Sequence, residues 1–295
     1  MKILVLGCKG QLGRCLNDQL SNTNHEVIYT SREQIDITDF KTTKQKLLDI
    51  APDAVINATA FTAVDKAEKD QKKADLINHL AVENIANICD QQCSWLIHVS
   101  TDYVFDGNSN EPYKEDDQTN PKGVYGKTKL NGELAIQSSG CKYIIIRTAW
   151  VFSEYGENFL KTMIALGQKK KELQIVSDQI GCPTYAQDIA NTICKILSKF
   201  DSGCVKSQIF HFAGNKPCSW YDFALSIFKS ASDLNIETPK KITPVSSEKY
   251  PTLAARPHYS VLDSSKIKKM YSIETSNWKK GIESSLISIF KNSPK

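Results

Sequence analysis

The sequence predicts an α/β fold: a doubly wound parallel sheet with a smaller α/β unit built against it. Two observations predict it. Up to residue 150, short apolar runs alternate with segments of helical period, the pattern of βαβ units with helices on both faces of a parallel sheet. Glycines 7, 10 and 13 stand at three-residue spacing between the first apolar run and the first helical one. That strand–turn–helix context is where a nucleotide phosphate is cradled.

The elements follow in order. Residues 3–6 form a strand and 11–20 a helix. Residues 27–29 are extended, 41–50 helical and 53–57 extended. Residues 70–90 carry apolar side chains at 74, 76, 77, 80, 81, 85, 86 and 88, a continuous helical stripe. Residues 94–100 form a strand, 123–137 a helix and 143–147 a strand. After Trp150 the rhythm breaks. Residues 158–167 and 187–197 are helical, 173–176 and 208–212 extended, 220–229 and 278–290 helical. Prolines 239, 244, 251 and 257 mark loops and short extended pieces. Right-handed crossovers make the first half a Rossmann-type sheet. Residues 1–150 are expected to be a dinucleotide-binding domain to which the chain returns at about 178–212. Residues 151–177 and 213–295 are expected to form the smaller substrate-binding domain, at the carboxyl edge where such sheets bind ligands.

Composition narrows the function. The 295 residues are 41% hydrophobic and 24% charged, ordinary for a globular enzyme and wrong for a disordered chain, a fibre or a membrane bundle. No apolar run approaches the roughly 18 residues of a spanning helix, and the first six residues read as a strand, not an address. The net charge is only +4, and arginine occurs only at 14, 32, 147 and 256 among 37 basic residues. Base readout leans on bidentate arginine, so no nucleic-acid partner is expected. Nine cysteines, an odd number with no C-x-x-C pair, read as thiols of a reducing, cytoplasmic compartment. Histidines 25, 79, 211 and 258 lack ligand spacing, so no metal is expected, and His98 is expected to face the core.

Each glycine has a physical task. Gly7 allows the tight turn, Gly10 lets a pyrophosphate approach the backbone, and Gly13 lets helix and strand pack closely. The helix N-terminus then offers free N–H groups and partial positive charge. The second strand ends at Tyr29-Thr30-Ser31-Arg32 with no carboxylate for a ribose 2′-hydroxyl. Arg32, with Ser31, suits a 2′-phosphate instead. NADPH is therefore the expected cofactor, with NADH kept open by Asp36.

Tyr125 and Lys129 form the sole Y-x-x-x-K of the chain, on one face of a helix. Thr101 closes the strand at 94–100 and faces the same crevice. A ketone that accepts hydride becomes an alkoxide and needs a proton. Tyrosine is a poor acid–base at its ordinary pKa of about 10, and a neighbouring Lys129 ammonium would lower that value. Lys129 would also hold the nicotinamide ribose, and Thr101 would bond the carbonyl oxygen. Arg256 can meet a diphosphate or pair with a carboxylate.

These residues resemble the extended short-chain dehydrogenase/reductases. The segments S-T-D-Y-V-F-D-G (100–107) and Y-G-K-T-K-L-N-G-E (125–133) carry the likeness. Within that group the sequence is similar to the dTDP-4-dehydrorhamnose reductase family, through N-A-T-A-F-T-A-V-D-K-A-E (57–68), R-T-A-W-V-F (147–152), D-Q-I-G-C-P-T (178–184) and R-P-H-Y-S-V-L-D (256–263). The resemblance implies NAD(P)H-dependent reduction of the 4-keto group of a dTDP-linked 6-deoxyhexulose, and it hints at a homodimer. It makes Thr101, Tyr125 and Lys129 catalytic. It assigns Gly10, Gln11, Leu12, Asp36, Ile37, Ala60, Phe61 and Thr62 to the cofactor, and Thr101, Asp102 and Trp150 to the sugar nucleotide. The family usually has serine at 149 and tyrosine at 152. Ala149 and Phe152 each remove a hydroxyl near the expected sugar pocket and leave the exact hexulose open. Epimerases and dehydratases of the superfamily are rivals, as is a non-catalytic regulatory subunit like that of methionine adenosyltransferase.

Overall fold

The computed structural model describes residues 1–200 and 205–291. The chain runs β1 (Lys2–Leu6), α1 (Gln11–Leu20), β2 (Glu26–Thr30), α2 (Phe40–Ile50), β3 (Ala54–Asn57), α3 (Val64–Lys69), α4 (Gln71–Asp75), α5 (Ala81–Gln91), β4 (Trp95–Thr101), α6 (Val124–Ser138) and β5 (Lys142–Thr148). It continues through β6 (Val151–Phe152), α7 (Phe159–Gly167), β7 (Glu172–Val176), β8 (Ile180–Gly181), β9 (Thr184–Tyr185), α8 (Ala186–Leu197) and β10 (Gln208–His211). It ends with β11 (Cys218–Ser219), α9 (Trp220–Asp233), β12 (Lys241–Val245), α10 (Ser265–Tyr271) and α11 (Trp278–Lys291).

Six parallel strands form the main sheet in the order β10-β5-β4-β3-β1-β2. Strand alternation explains its two layers. Ile3 and Val5 of β1 face α1 and α8, packing with Leu16, Ile189 and Ile193, while Leu4 and Leu6 face α2 and α5, packing with Leu47, Val82 and Ile85. Burying each such side chain contributes roughly 1.5–3 kcal/mol, and both faces of the sheet are apolar because both are covered. The strand order reverses between β1 and β3. The turns after β1, β3 and β4 therefore open on one crevice.

A second core lies beyond the carboxyl edge. There α7, α9 and α11 pack Phe152, Leu160, Phe223, Ile227, Trp278 and Leu286 together, and β12 runs parallel to β7. Pro244 fits within β12 because that strand has one partner and an open edge. Phe152 is wholly buried in this core against Tyr185 and Phe223, so its lost hydroxyl faces other side chains and not a ligand pocket. Among the described residues no helix is long and apolar enough to cross a membrane. The described cysteines are free thiols, and Cys204 lies outside the described residues.

The stripe at residues 70–90 is not one regular helix. A π-helical stretch, Leu76–Leu80, joins α4 to α5. Such stretches are frequent at functional sites. Here it carries Asn78, whose side chain is used by the crevice.

Near the end of β10, His211 is fully buried. Its Nδ1 bonds the Tyr113 carbonyl at 2.9 Å, and its Nε2 faces Arg147 Nη1 at 3.4 Å. A carbonyl can only accept, so Nδ1 carries the proton and the ring is neutral. Burial first, and then the Arg147 charge, push its pKa down from 6.5 to about 3. Below its ordinary pKa the unfolded chain takes up a proton that the folded chain refuses. Stability from this group is present above about pH 6.5 and falls by about 1.4 kcal/mol per pH unit towards pH 3. Urea unfolding at stepped pH is expected to show that slope, reduced in His211→Gln. An unchanged slope would show that His211 is not its source.

Candidate active site

The first N–H groups of α1 carry no side-chain cap at Gly10, so they are available to an anion. A Cβ on Gly13 would lie 2.3 Å from the Gly7 carbonyl oxygen, so only glycine lets α1 pack this close. Gly7 has φ +83°, the left-handed conformation that favours glycine. A Cβ on Gly10 would meet only the Gly7 oxygen, at 3.4 Å, so its outer side is open.

A cavity of about 520 Å³ lies above this turn. It brings together Gly10, Gln11, Leu12, Ala60 and Thr62 with Thr101, Asp102, Tyr125, Lys129, Trp150 and Arg256. Gly7, Gly13, Arg32, Asp36, Ile37 and Phe61 stand outside its walls. Ile37 is packed in the core beneath. Arg32 is exposed and paired with Asp36 at 3.1 Å, while Asp36 also accepts from the Thr38 hydroxyl at 2.6 Å. An exposed pair of this kind contributes about 0–1 kcal/mol and would yield to a phosphate. Phe61 meets the site through its backbone. Its N–H bonds Asn78 Oδ1 at 2.8 Å, and Asn78 Nδ2 reaches Thr128 Oγ1 of α6 at 3.2 Å. Asn78 thus fixes the loop after β3 to the helix that carries Tyr125 and Lys129.

Burial raises the Tyr125 hydroxyl to about 12, with the Asp102 charge adding and a Thr101 hydrogen bond opposing. The expected lowering by Lys129 is not what the geometry provides. Lys129 Nζ lies 2.7 Å from the Val99 carbonyl and 3.1 Å from His98 Nε2, turned onto β4. Burial also lowers Lys129 to about 8, opposed by Glu133. At both groups desolvation outweighs what opposes it, the Thr101 hydrogen bond on Tyr125 and the Glu133 charge on Lys129. Thr101 donates to Asp102 Oδ1 at 2.9 Å, so its proton must turn to meet a carbonyl. Burial raises Asp102 to about 6 against bonds from Ser260 and Thr101.

On the far wall, Trp150 stacks on Trp220 at 3.5 Å and 7°. Its φ of 47° is costly for an aromatic residue and typical of functional sites. A Cβ on Gly181 would lie 2.5 Å from the Trp150 ring, so only glycine leaves room for it. Arg256 lines the cavity and pairs with Asp65 at 2.9 Å. Ala149 is buried outside the walls. Sequence reading missed Trp220, Asn78 and the pair Glu133–Arg147, at 2.7 Å beneath Lys129. The i, i+4 spacing of Lys129 and Glu133 was the available signal for that pair. It also missed what Gln11 does with its side chain, which accepts from Ser153 at 3.0 Å and Asn158 at 2.8 Å.

Comparison with known proteins agrees with this architecture. Residues 1–290 match the RmlD substrate binding domain family. A dTDP-4-dehydrorhamnose reductase from Aggregatibacter actinomycetemcomitans is 40% identical over 285 residues, covering 96% of this chain and 97% of the relative. The crystal structure of a dTDP-4-dehydrorhamnose reductase from Clostridium acetobutylicum superposes with a TM-score of 0.90 at 39% identity, covering 97% and 98% of the two chains. That of the Bacillus anthracis reductase, in complex with NADP, gives 0.89 at 33% identity over 97% and 99%. With the family match and these relatives extending over nearly the full length, the chain belongs to the dTDP-4-dehydrorhamnose reductase family.

Proposed function

We propose that this protein reduces the 4-keto group of dTDP-4-dehydro-L-rhamnose to give dTDP-L-rhamnose, with NADPH as reductant. The observation that carries the reading is the convergence of Thr101, Tyr125 and Lys129 in one cavity with the open face of Gly10. Buried polar atoms along that cavity fit a polar ligand. Ser100 Oγ, Thr148 Oγ1 and Arg256 Nε have no hydrogen-bond partner, which is costly until a ligand supplies one. NADPH, when bound, supplies the hydride to C4. Gly10, Gln11 and Leu12 would hold its pyrophosphate, Ala60 and Thr62 its flank, and Arg32 with Ser31 its 2′-phosphate. Tyr125 gives its proton to the C4 oxygen, Thr101 bonds that oxygen, and Lys129 stabilises the phenolate left behind. Asp102, Trp150 and Arg256 hold the sugar nucleotide. Residues 1–150, rejoined at about 178–212, serve the dinucleotide, and 151–177 with 213–295 serve the sugar. The free thiols support a cytoplasmic setting. The family likeness favours a homodimer, which sedimentation would reveal.

The test is NADPH and NADH oxidation with enzymatically generated dTDP-4-dehydro-L-rhamnose and identification of the product. Oxidation that needs both protein and sugar and yields dTDP-L-rhamnose is expected. Dinucleotide binding without oxidation would point to another keto sugar or to a regulatory subunit. Arg32→Ala is expected to weaken NADPH binding by about tenfold or more and NADH by less than about twofold. An unchanged ratio would remove Arg32 from the 2′-phosphate site.

A further inference from the structure

A closed chain of hydrogen bonds runs under Lys129, and its polarity is set at one end. The Thr59 backbone N–H lies 3.1 Å from Asn57 Oδ1, and the Thr59 hydroxyl 2.6 Å from the same atom. A backbone N–H can only donate, so the atom facing it is the amide oxygen. Asn57 Nδ2 then faces His98 Nδ1 at 3.2 Å. An amide nitrogen donates, so Nδ1 accepts and is bare. The single proton of a neutral imidazole sits on Nε2, 3.1 Å from Lys129 Nζ. That proton needs a lone pair, and an ammonium has none. Asn57 and His98 are wholly buried and Lys129 is 1% exposed, so no solvent relieves a mismatch.

We propose that His98 is a positioning residue for Lys129, holding it through an Nε2–H···Nζ hydrogen bond as an uncharged amine against β4 in the ligand-free enzyme. The reverse polarity would set two donors face to face at His98 Nδ1 and Asn57 Nδ2, or turn the Asn57 amide away from Thr59. The protonation and place of Lys129 are therefore coupled. The amine rests on His98, and a protonated Lys129 loses that bond and is released towards Tyr125. Other charged groups around Lys129 do not compete for this bond. Glu133, one turn along α6, is gripped by Arg147 of β5, and Asp102 after β4 acts on Tyr125. Asn78 and Thr128 are neutral. Burial lowers the pKa of Lys129, the direction that an amine resting on His98 requires.

The inference rests on the proposed role of Lys129 in proton transfer, but its first test needs no turnover. Long-range ¹H–¹⁵N correlation spectra of the ligand-free full-length protein, labelled at histidine, are expected to show His98 protonated at Nε2 and bare at Nδ1. The opposite tautomer, or a doubly protonated ring, would overturn the proposal even if the enzyme is an active reductase. The second test is the pH profile of kcat. His98→Met removes the donor that favours the amine, so Lys129 keeps its proton longer. The alkaline limb is expected to move to a proton concentration about tenfold lower, with NADPH affinity within about twofold. His98→Gln, which retains an N–H at that place, is expected to return the limb to its original position. Coincident limbs in all three proteins would overturn the proposal. If His98→Met fails to fold, the tautomer in the unaltered chain decides.

Discussion

Tyr125→Phe is expected to lower kcat by about 10²–10⁴-fold while NADPH affinity stays within about twofold. The ring is half-buried and meets Tyr103 edge-on at 5.5 Å, a contact that phenylalanine keeps. What is lost is the one hydroxyl aligned with Thr101 at the cavity floor. Because burial holds that hydroxyl near 12, it stays protonated through the neutral range, as the proposed proton donor must. The alkaline loss of activity is then governed by Lys129, pushed down to about 8. Steady-state NADPH oxidation with a parallel fluorescence titration of the cofactor measures both quantities. A kcat within tenfold of the unaltered protein would exclude Tyr125 as the proton donor.

Arg147→Met is expected to destabilise the fold by about 3–5 kcal/mol, a drop in Tm on the order of 10 °C. Arg147 grips Glu133 with Nη2 at 2.7 Å and Nε at 3.1 Å from both carboxylate oxygens, and both residues are nearly wholly buried. Removing one partner leaves a charge in a dry interior. The double variant Arg147→Met/Glu133→Leu removes both charges and is expected to recover much of the loss. Thermal melts of the three proteins decide, and a single variant within about 1 kcal/mol of the original would show that the pair is not needed. The unpaired Glu133 would also pull Lys129 upward, so the alkaline limb of any residual activity should shift with it.

Much of the fold was legible because apolar period and glycine spacing are local signals. The helix at 11–20 and each strand of the first half lie within a residue or two of their observed ends. The π-helical stretch at Leu76–Leu80 was not legible, because an apolar stripe reads the same through it. Its cause is distant: Asn78 must reach Phe61 and α6. The short strands β6, β8, β9 and β11 were missed because two residues carry no periodicity.

For the site, local pattern named Tyr125, Lys129, Thr101 and the glycine turn, since each requires a residue type at a fixed place along one element. Where Lys129 points was decided by the tertiary structure alone. Its partners on β4 and the carboxylate–guanidinium pair beneath it join α6 to the strands on either side of it, β4 and β5, contacts that no local period encodes. The same holds for Phe152, which the family resemblance put near a pocket and packing put in a core. The sequence by itself determined which chemistry the chain carries, through residue types, periods and spacings. The tertiary structure decided which of those groups are charged, because charge in a buried site depends on desolvation and on hydrogen-bond partners that only the fold brings together.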